Sequence, residues 1–127
     1  MKKLLPGIAF IFLLAACGGE GTKETPKEET TTKEDRSKNP DYQKGLELVG
    51  KSDCLTCHKV NEPFTGPAYS AVAERYANAA DTTITRLANT IIKGGSGQWG
   101  AVPMTPHAAV SEEDAKQMVK YVLLLKN

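Results

Sequence analysis

The pentapeptide Cys54-Leu55-Thr56-Cys57-His58 constrains this chain more than any other feature. Its Cys-x-x-Cys-His spacing is typical of covalent haem attachment, in which two cysteines form thioether bonds and the adjacent histidine binds the iron. Because the bonds are covalent, the cofactor stays in place even when the domain around it is small. The motif therefore predicts one haem c, bound through Cys54 and Cys57, with His58 as the proximal iron ligand.

Three other uses of the motif are possible. A thioredoxin-like dithiol belongs with alternating strands and helices, and no such pattern is present. A structural zinc site needs four ligands. Apart from Cys17, the sequence offers only Cys54, Cys57, His58 and His107, and Cys57 and His58 are sequence neighbours. A plain disulfide leaves the histidine without a role. Haem is the better interpretation, and a haem-free thiol or metal-binding lipoprotein is the alternative.

The composition divides the chain into three segments. In residues 1–17, two lysines and an apolar run lead to Cys17, which small residues precede and a glycine follows. This is the form of a secretory signal that ends in a bacterial lipobox, although an ordinary signal or a retained anchor helix would also be apolar. Residues 18–38 contain no aromatic or large aliphatic side chain, so we expect a disordered tether. Residues 39–127 are the only segment that can fold.

This order predicts an exported protein with a lipid on Cys17, anchored to a bacterial envelope membrane and facing the periplasm. The formal net charge is only +1, so the sequence gives no reason to expect nucleic acid as a partner.

Residues 39–127 are expected to form four short helices, because apolar residues recur there at helical spacing. These residues are Tyr42, Leu46 and Val49; Tyr69, Val72, Ala73 and Tyr76; Ile84, Leu87, Ala88, Ile91 and Ile92; and Ala115, Met118, Val119, Val122 and Leu123. Asn39 and Ser111 are expected N-caps, and Gly94 with Gly95 should end the third helix. No strand pattern is visible, so the predicted fold class is all-α. The loops 59–66 and 95–110 are long enough to wrap a bound group.

Met104 is the candidate for the second axial ligand. It lies far downstream of His58, in a loop that Pro103 and Pro106 should keep extended. His107 is a competitor because it follows only a few residues later. Met118 lies on the apolar face of the last helix and is expected in the core.

Residues 40–127 resemble the small monohaem class I cytochromes c of bacteria, the c-551/c-552 group. The resemblance rests on Cys54-Leu55-Thr56-Cys57-His58, Thr65-Gly66-Pro67-Ala68-Tyr69, Lys93-Gly94-Gly95, Gln98-Trp99-Gly100, Val102-Pro103-Met104 and Ala109-Val110-Ser111. It implies a small cytochrome c fold of about four short helices wrapped around one covalent haem.

The resemblance also implies roles for single residues. The Pro67 carbonyl would accept a hydrogen bond from the His58 ring, Trp99 would bind a haem propionate, and Gly45 would lie where the first and last helices cross. From the sequence alone, Pro67 is equally a helix-starting proline and Trp99 an ordinary core residue. Thr105 and His107 depart from the relatives, which commonly have proline and often asparagine there.

The function that follows is electron transfer rather than catalysis. The expected partners are transient redox proteins, such as an oxidase, a reductase or a cytochrome complex, and we expect no catalytic residue. A different class of function, a haem-based gas sensor or weak peroxidase, applies if Met104 leaves the iron easily.

Overall fold

Four α-helices and one short 3-10 helix are present in residues 36–127, the part of the chain that a computed structural model describes. The elements are α1 (Pro40–Lys51), the 3-10 helix (Asp53–Thr56), α2 (Tyr69–Arg75), α3 (Asp81–Lys93) and α4 (Glu112–Leu123). Within that range there is no strand, only an isolated antiparallel bridge between Gly95 and Met104. The all-α prediction is therefore confirmed.

The helix ends follow the expected local signals. The Asn39 side chain accepts a hydrogen bond of 2.8 Å from the backbone N–H of Asp41, so it caps α1. Ser111 Oγ accepts one of 3.1 Å from the N–H of Asp114 at the start of α4. Gly94 ends α3 with a φ of 71°, in the region that favours glycine. These predicted caps are confirmed, and they fix where each loop around the site begins.

Helices α1 and α4 cross in close contact at Gly45. A Cβ on this buried glycine would lie 2.7 Å from the Gln117 carbonyl oxygen and would overlap the Tyr121 side chain. The Gln117 amide nitrogen also donates to Asp41 Oδ1 over 2.8 Å, and the rings of Tyr42 and Tyr121 meet edge to face with centroids 5.1 Å apart. The expected close contact at Gly45 is confirmed, and it lets α4 approach the haem motif at the end of α1.

The core lies where α4 packs against α1 and α3. Its buried residues are Val49, Tyr69, Ala88, Ala115, Met118, Val119, Tyr121, Val122 and Leu125. Met118 is only 2% exposed, so its predicted core role is confirmed. Burying an aliphatic side chain of this size contributes about 1.5–3 kcal/mol. These core residues form two clusters. The one that contains Val49 and Tyr121 joins α1 to α4, and the one that contains Ala88 and Val119 joins α3 to α4.

Packing extends beyond the start of α1 to Arg36. Its guanidinium donates to the carbonyls of Leu124 and Lys126, over 3.0 and 3.2 Å, just beyond the end of α4. Carbonyls at a helix C-terminus lack partners within the helix, and a cation satisfies them well. Contact with the domain thus includes Arg36, which lies inside the segment 18–38 that the sequence assigns to the tether. The predicted signal and Cys17 lie outside the described residues, and none of the helices within residues 36–127 is long and apolar enough to cross a membrane.

Candidate haem site

One cavity of about 440 Å³ brings together all the site residues that the sequence predicts between residues 36 and 127. Its lining includes the predicted site residues Cys54, Cys57, His58, Pro67, Trp99 and Met104. Its apolar wall includes Val49, Val72, Ile91, Val119 and Val122 from the four helices. A volume in the range of about 300–1,000 Å³ with a mostly apolar lining is typical of cofactor pockets. The cavity therefore suits a large, flat, mostly apolar ring.

The short 3-10 helix sets the geometry of the two cysteines. The backbone N–H groups of Cys57 and His58 both donate to the Cys54 carbonyl, over 3.3 and 3.0 Å, so the chain turns tightly across the motif. Cys57 is exposed and Cys54 is half-buried, and both sulfurs are free of any disulfide. Burial raises the pKa of the Cys54 thiol, so this environment favours a neutral sulfur. A thioether is neutral, whereas a zinc ligand or a nucleophile must be a thiolate.

The His58 ring is fixed from two sides. Its Nδ1 lies 2.8 Å from the Pro67 carbonyl oxygen, and because a carbonyl can only accept, Nδ1 must donate. The Tyr69 ring stacks on the imidazole at 18°, with centroids 5.2 Å apart. A Cβ at Gly66 would lie 2.8 Å from Nδ1, so only glycine leaves room for this ring position. With Nδ1 occupied, the Nε2 lone pair is the one left to bind a metal.

The Met104 segment is held by its backbone. The N–H of Met104 donates to the Gly95 carbonyl over 2.8 Å, and the N–H of Gly95 returns a bond of 3.3 Å. A Cβ at Gly94 would lie 2.5 Å from the Met104 carbonyl oxygen and 3.1 Å from the Pro106 ring. The glycines that end α3 thus also let the methionine segment fold back against the helix end. The Met104 side chain is half-buried and lines the cavity.

His107, the predicted competitor for iron, has one ring nitrogen engaged elsewhere. Its Nε2 lies 2.9 Å from Asp53 Oδ1, and its backbone N–H donates to the Ile91 carbonyl over 3.0 Å. Its Nδ1 is buried and has no hydrogen-bond partner among residues 36–127. The His107 side chain is only 17% exposed, so the ring is largely shielded from solvent.

Trp99 lines the cavity but is not an ordinary core residue, because it is 42% exposed. The Arg75 guanidinium lies 4.6 Å from the indole centroid and donates to the Gln98 carbonyl over 2.7 Å. The Gln98 side-chain oxygen accepts from the Tyr76 hydroxyl over 2.8 Å and from Arg86 over 3.2 Å. Sequence reasoning missed the two arginines, because arginine on a helix usually indicates only a solvated face. Propionate binding by Trp99 stays a prediction.

Comparison with known proteins identifies the family. Residues 42–126 match the family model for cytochrome c, which is more than half of the chain. The chain belongs to the cytochrome c family.

The relatives of this cytochrome c are small bacterial proteins. It is 40% identical over 84 residues to cytochrome c-552 of Nitrosomonas europaea, a match that covers 66% of this chain and 81% of the relative. It is 38% identical over 82 residues to cytochrome c-551 of Pseudomonas denitrificans, with 65% and 98% covered. The crystal structure of the Nitrosomonas europaea cytochrome c552 superposes with a TM-score of 0.59 at 41% identity, and covers 64% of this chain and 99% of that one. Class I cytochrome MtoD of Sideroxydans lithotrophicus is also similar, with a TM-score of 0.55 at 25% identity and coverage of 67% and 96%.

The cofactor of this cytochrome c is covalently attached haem c, and its function is haem-based electron transfer. The residues present fit that group: two cysteines free of any disulfide at the motif, an imidazole with Nε2 left for a metal, and an apolar wall. The prediction of haem is confirmed, and the haem-free alternative is removed.

Proposed function

We propose that this cytochrome c is a single-electron carrier whose haem iron is bound by His58 and Met104. The observation that supports this most strongly is that both side chains line the same cavity as Cys54 and Cys57. The His58 tautomer that Pro67 selects leaves Nε2 for the iron. The resemblance of Val102-Pro103-Met104 to the c-551/c-552 group supports Met104, rather than His107, as the other ligand.

Each residue has a distinct role in this proposal. Cys54 and Cys57 form the thioether bonds, and His58 supplies the proximal nitrogen, oriented by the Pro67 carbonyl. The bound haem supplies a reversible one-electron change at its iron, and a methionine ligand raises the reduction potential. Two protein ligands leave no coordination position open to a substrate. This is why we propose a carrier and not an enzyme.

We also propose that the carrier is lipid-anchored through Cys17 to a bacterial envelope membrane, facing the periplasm. The support is the sequence alone: an apolar signal-like segment, small residues before the cysteine and a polar tether over 18–38. Anchoring would raise the local concentration near a membrane oxidase, reductase or cytochrome complex. The interface with such a partner would be small and the complex short-lived, which suits rapid turnover. Mass spectrometry of the N-terminal peptide should find acyl chains on Cys17, and Cys17→Ser should release the protein from the membrane fraction.

A pair of methionine substitutions tests the ligand assignment. Met104→Ala should abolish the weak far-red sulfur-to-iron band of the ferric protein, and should lower the reduction potential because the thioether is lost. Met118→Leu, a volume-conserving change at a core position, should leave band and potential as in the wild type. Loss of the band in Met118→Leu, or its survival in Met104→Ala, would contradict the assignment.

Carbon monoxide distinguishes the carrier from the sensor or peroxidase. With Met104 bound, the ferrous spectrum at neutral pH should not change when carbon monoxide is added. A rapid, complete change in the wild type would favour the second class of function.

A further inference from the structure

The hydrogen bond between His107 and Asp53 joins two segments that line the haem cavity. Asp53 begins the 3-10 helix and directly precedes the first attachment cysteine, whereas His107 follows the Met104 segment. The two residues are 54 positions apart in sequence, and their side chains meet at 2.9 Å. Both residues line the cavity. Within the described part of the chain, this is the one hydrogen bond that joins residues 53–58 directly to residues 94–107.

The other bonds of the Met104 segment do not reach the motif. The bridge to Gly95 ties the segment to the end of α3, and the bond from the His107 N–H to the Ile91 carbonyl ties it to α3 itself. These contacts fix the position of His107. If only they were present, the methionine segment could move away from the motif as one piece with the end of α3. The bond to Asp53 opposes this movement, because Asp53 belongs to the motif side.

The chemistry of the pair suits such a role. A carboxylate can only accept, so Nε2 of His107 carries the hydrogen in this bond, and the charge on Asp53 strengthens it. The ring is only 17% exposed, which keeps the donor in place, while the Asp53 side chain is 72% exposed. The bond therefore lies at the rim of the cavity. A hydrogen bond at the rim adds a modest barrier to movement of the Met104 segment away from the motif.

We propose that Asp53 and His107 form a clasp that positions Met104 and slows its release from the iron. The proposal rests on the proposed binding of Met104 to the iron. It makes both members positioning residues, with no direct part in electron transfer. The clasp would keep the sixth coordination position closed to small ligands while the carrier is oxidised and reduced.

The rate of ligand entry tests this directly. Imidazole added to the ferric full-length holoprotein replaces the methionine, and at high imidazole concentration the rate reaches the rate at which Met104 dissociates. We expect Asp53→Ala and His107→Phe each to raise that limiting rate roughly three- to tenfold, the factor that corresponds to one partly exposed, charge-assisted hydrogen bond. The double variant should be no faster than either single variant, because both remove the same interaction.

Two further variants separate the clasp from general destabilisation. His107→Gln keeps an N–H donor at the same distance along the side chain as Nε2, so its rate should lie within about twofold of the wild type. Glu62→Ala removes an exposed acidic side chain from the loop after the motif and should have no effect. Far-ultraviolet circular dichroism of each holoprotein checks that the helices are intact.

The outcomes separate the two proposals. A wild-type ferric spectrum without the sulfur band would mean that Met104 is not the ligand, and the proposed function would fail first. If the band is present, wild-type rates in Asp53→Ala and His107→Phe would overturn the clasp. Additive effects in the double variant, or equal acceleration by His107→Gln, would overturn it as well.

Discussion

Gly66→Ala tests how tightly the backbone holds the His58 ring. The added methyl group would lie 2.8 Å from Nδ1 and 2.9 Å from Nε2 of His58, well inside van der Waals contact. Gly66 is not among the glycines with positive φ, so alanine suits its backbone. The entire effect must therefore come from the imidazole ring, which has to move away from the Pro67 carbonyl.

The expected effect of Gly66→Ala has two parts, one on stability and one on the reduction potential. Overpacking of this kind costs about 1–3 kcal/mol in the free energy of unfolding. Weakening the bond between His58 and Pro67 removes up to about 0.5–1.5 kcal/mol. With His58 bound to the iron as proposed, that bond would make the imidazole a stronger donor and so favour ferric iron. For a one-electron couple, a tenfold change in equilibrium constant corresponds to roughly 59 mV and to about 1.36 kcal/mol. If the whole free energy of the hydrogen bond acted on the ferric state, loss of the bond would therefore raise the reduction potential by about 20–65 mV.

Potentiometric titration and denaturant unfolding of the holoprotein measure both effects. Gly50→Ala is the matched control, because a Cβ at Gly50 meets no atom within 4 Å. In α1 it should stabilise the protein by up to about 0.5–1 kcal/mol and leave the potential unchanged. A Gly66→Ala variant with the potential and stability of the wild type would refute the proposed fixation of His58.

Other substitutions test the packing around the site. Gly45→Ala should lower the free energy of unfolding by about 1–3 kcal/mol relative to Gly50→Ala, because it forces α1 and α4 apart. The gain in helix propensity is the same in both variants. Equal unfolding midpoints would contradict the close contact. Arg75→Gln should increase the mobility of the Trp99 ring, which lies 4.6 Å from the guanidinium, and fluorescence anisotropy of the single tryptophan in the haem-free protein would detect it. Burial raises the pKa of Tyr121, so the folded state holds that proton more tightly than the unfolded state. The resulting stability is fully present below the ordinary tyrosine pKa of about 10 and is lost as the pH rises further, so Tyr121→Phe should flatten the alkaline fall of the unfolding temperature.

The helices were predictable because their signals are local. Apolar spacing, the caps Asn39 and Ser111, and the glycine stop at Gly94 each act within a few residues of the element that they define. The haem motif was predictable for the same reason, since attachment chemistry fixes its spacing. The 3-10 helix was not predicted, because a single turn has no periodicity to detect.

The long-range contacts of the site could not be predicted from the sequence. The pair Asp53–His107 spans 54 positions, and the Arg75–Gln98 bond spans 23. Both depend on how the loop 95–110 folds back over the cavity. A lone histidine or arginine in a polar stretch gives no signal of such a contact. The alternative to propionate binding, Trp99 as an ordinary core residue, does not hold because the tryptophan is 42% exposed and packs against a guanidinium.

The ferric absorption spectrum of the wild-type chain, made in a haem-maturing host, tests the central claim most directly. We expect haem that survives acid-acetone extraction, low-spin bands and a weak far-red band from a sulfur ligand. Together these would identify the covalent haem and its methionine ligand in one sample. Covalent haem in a high-spin form, or without the sulfur band at neutral pH, would contradict an electron carrier with His58 and Met104 on the iron.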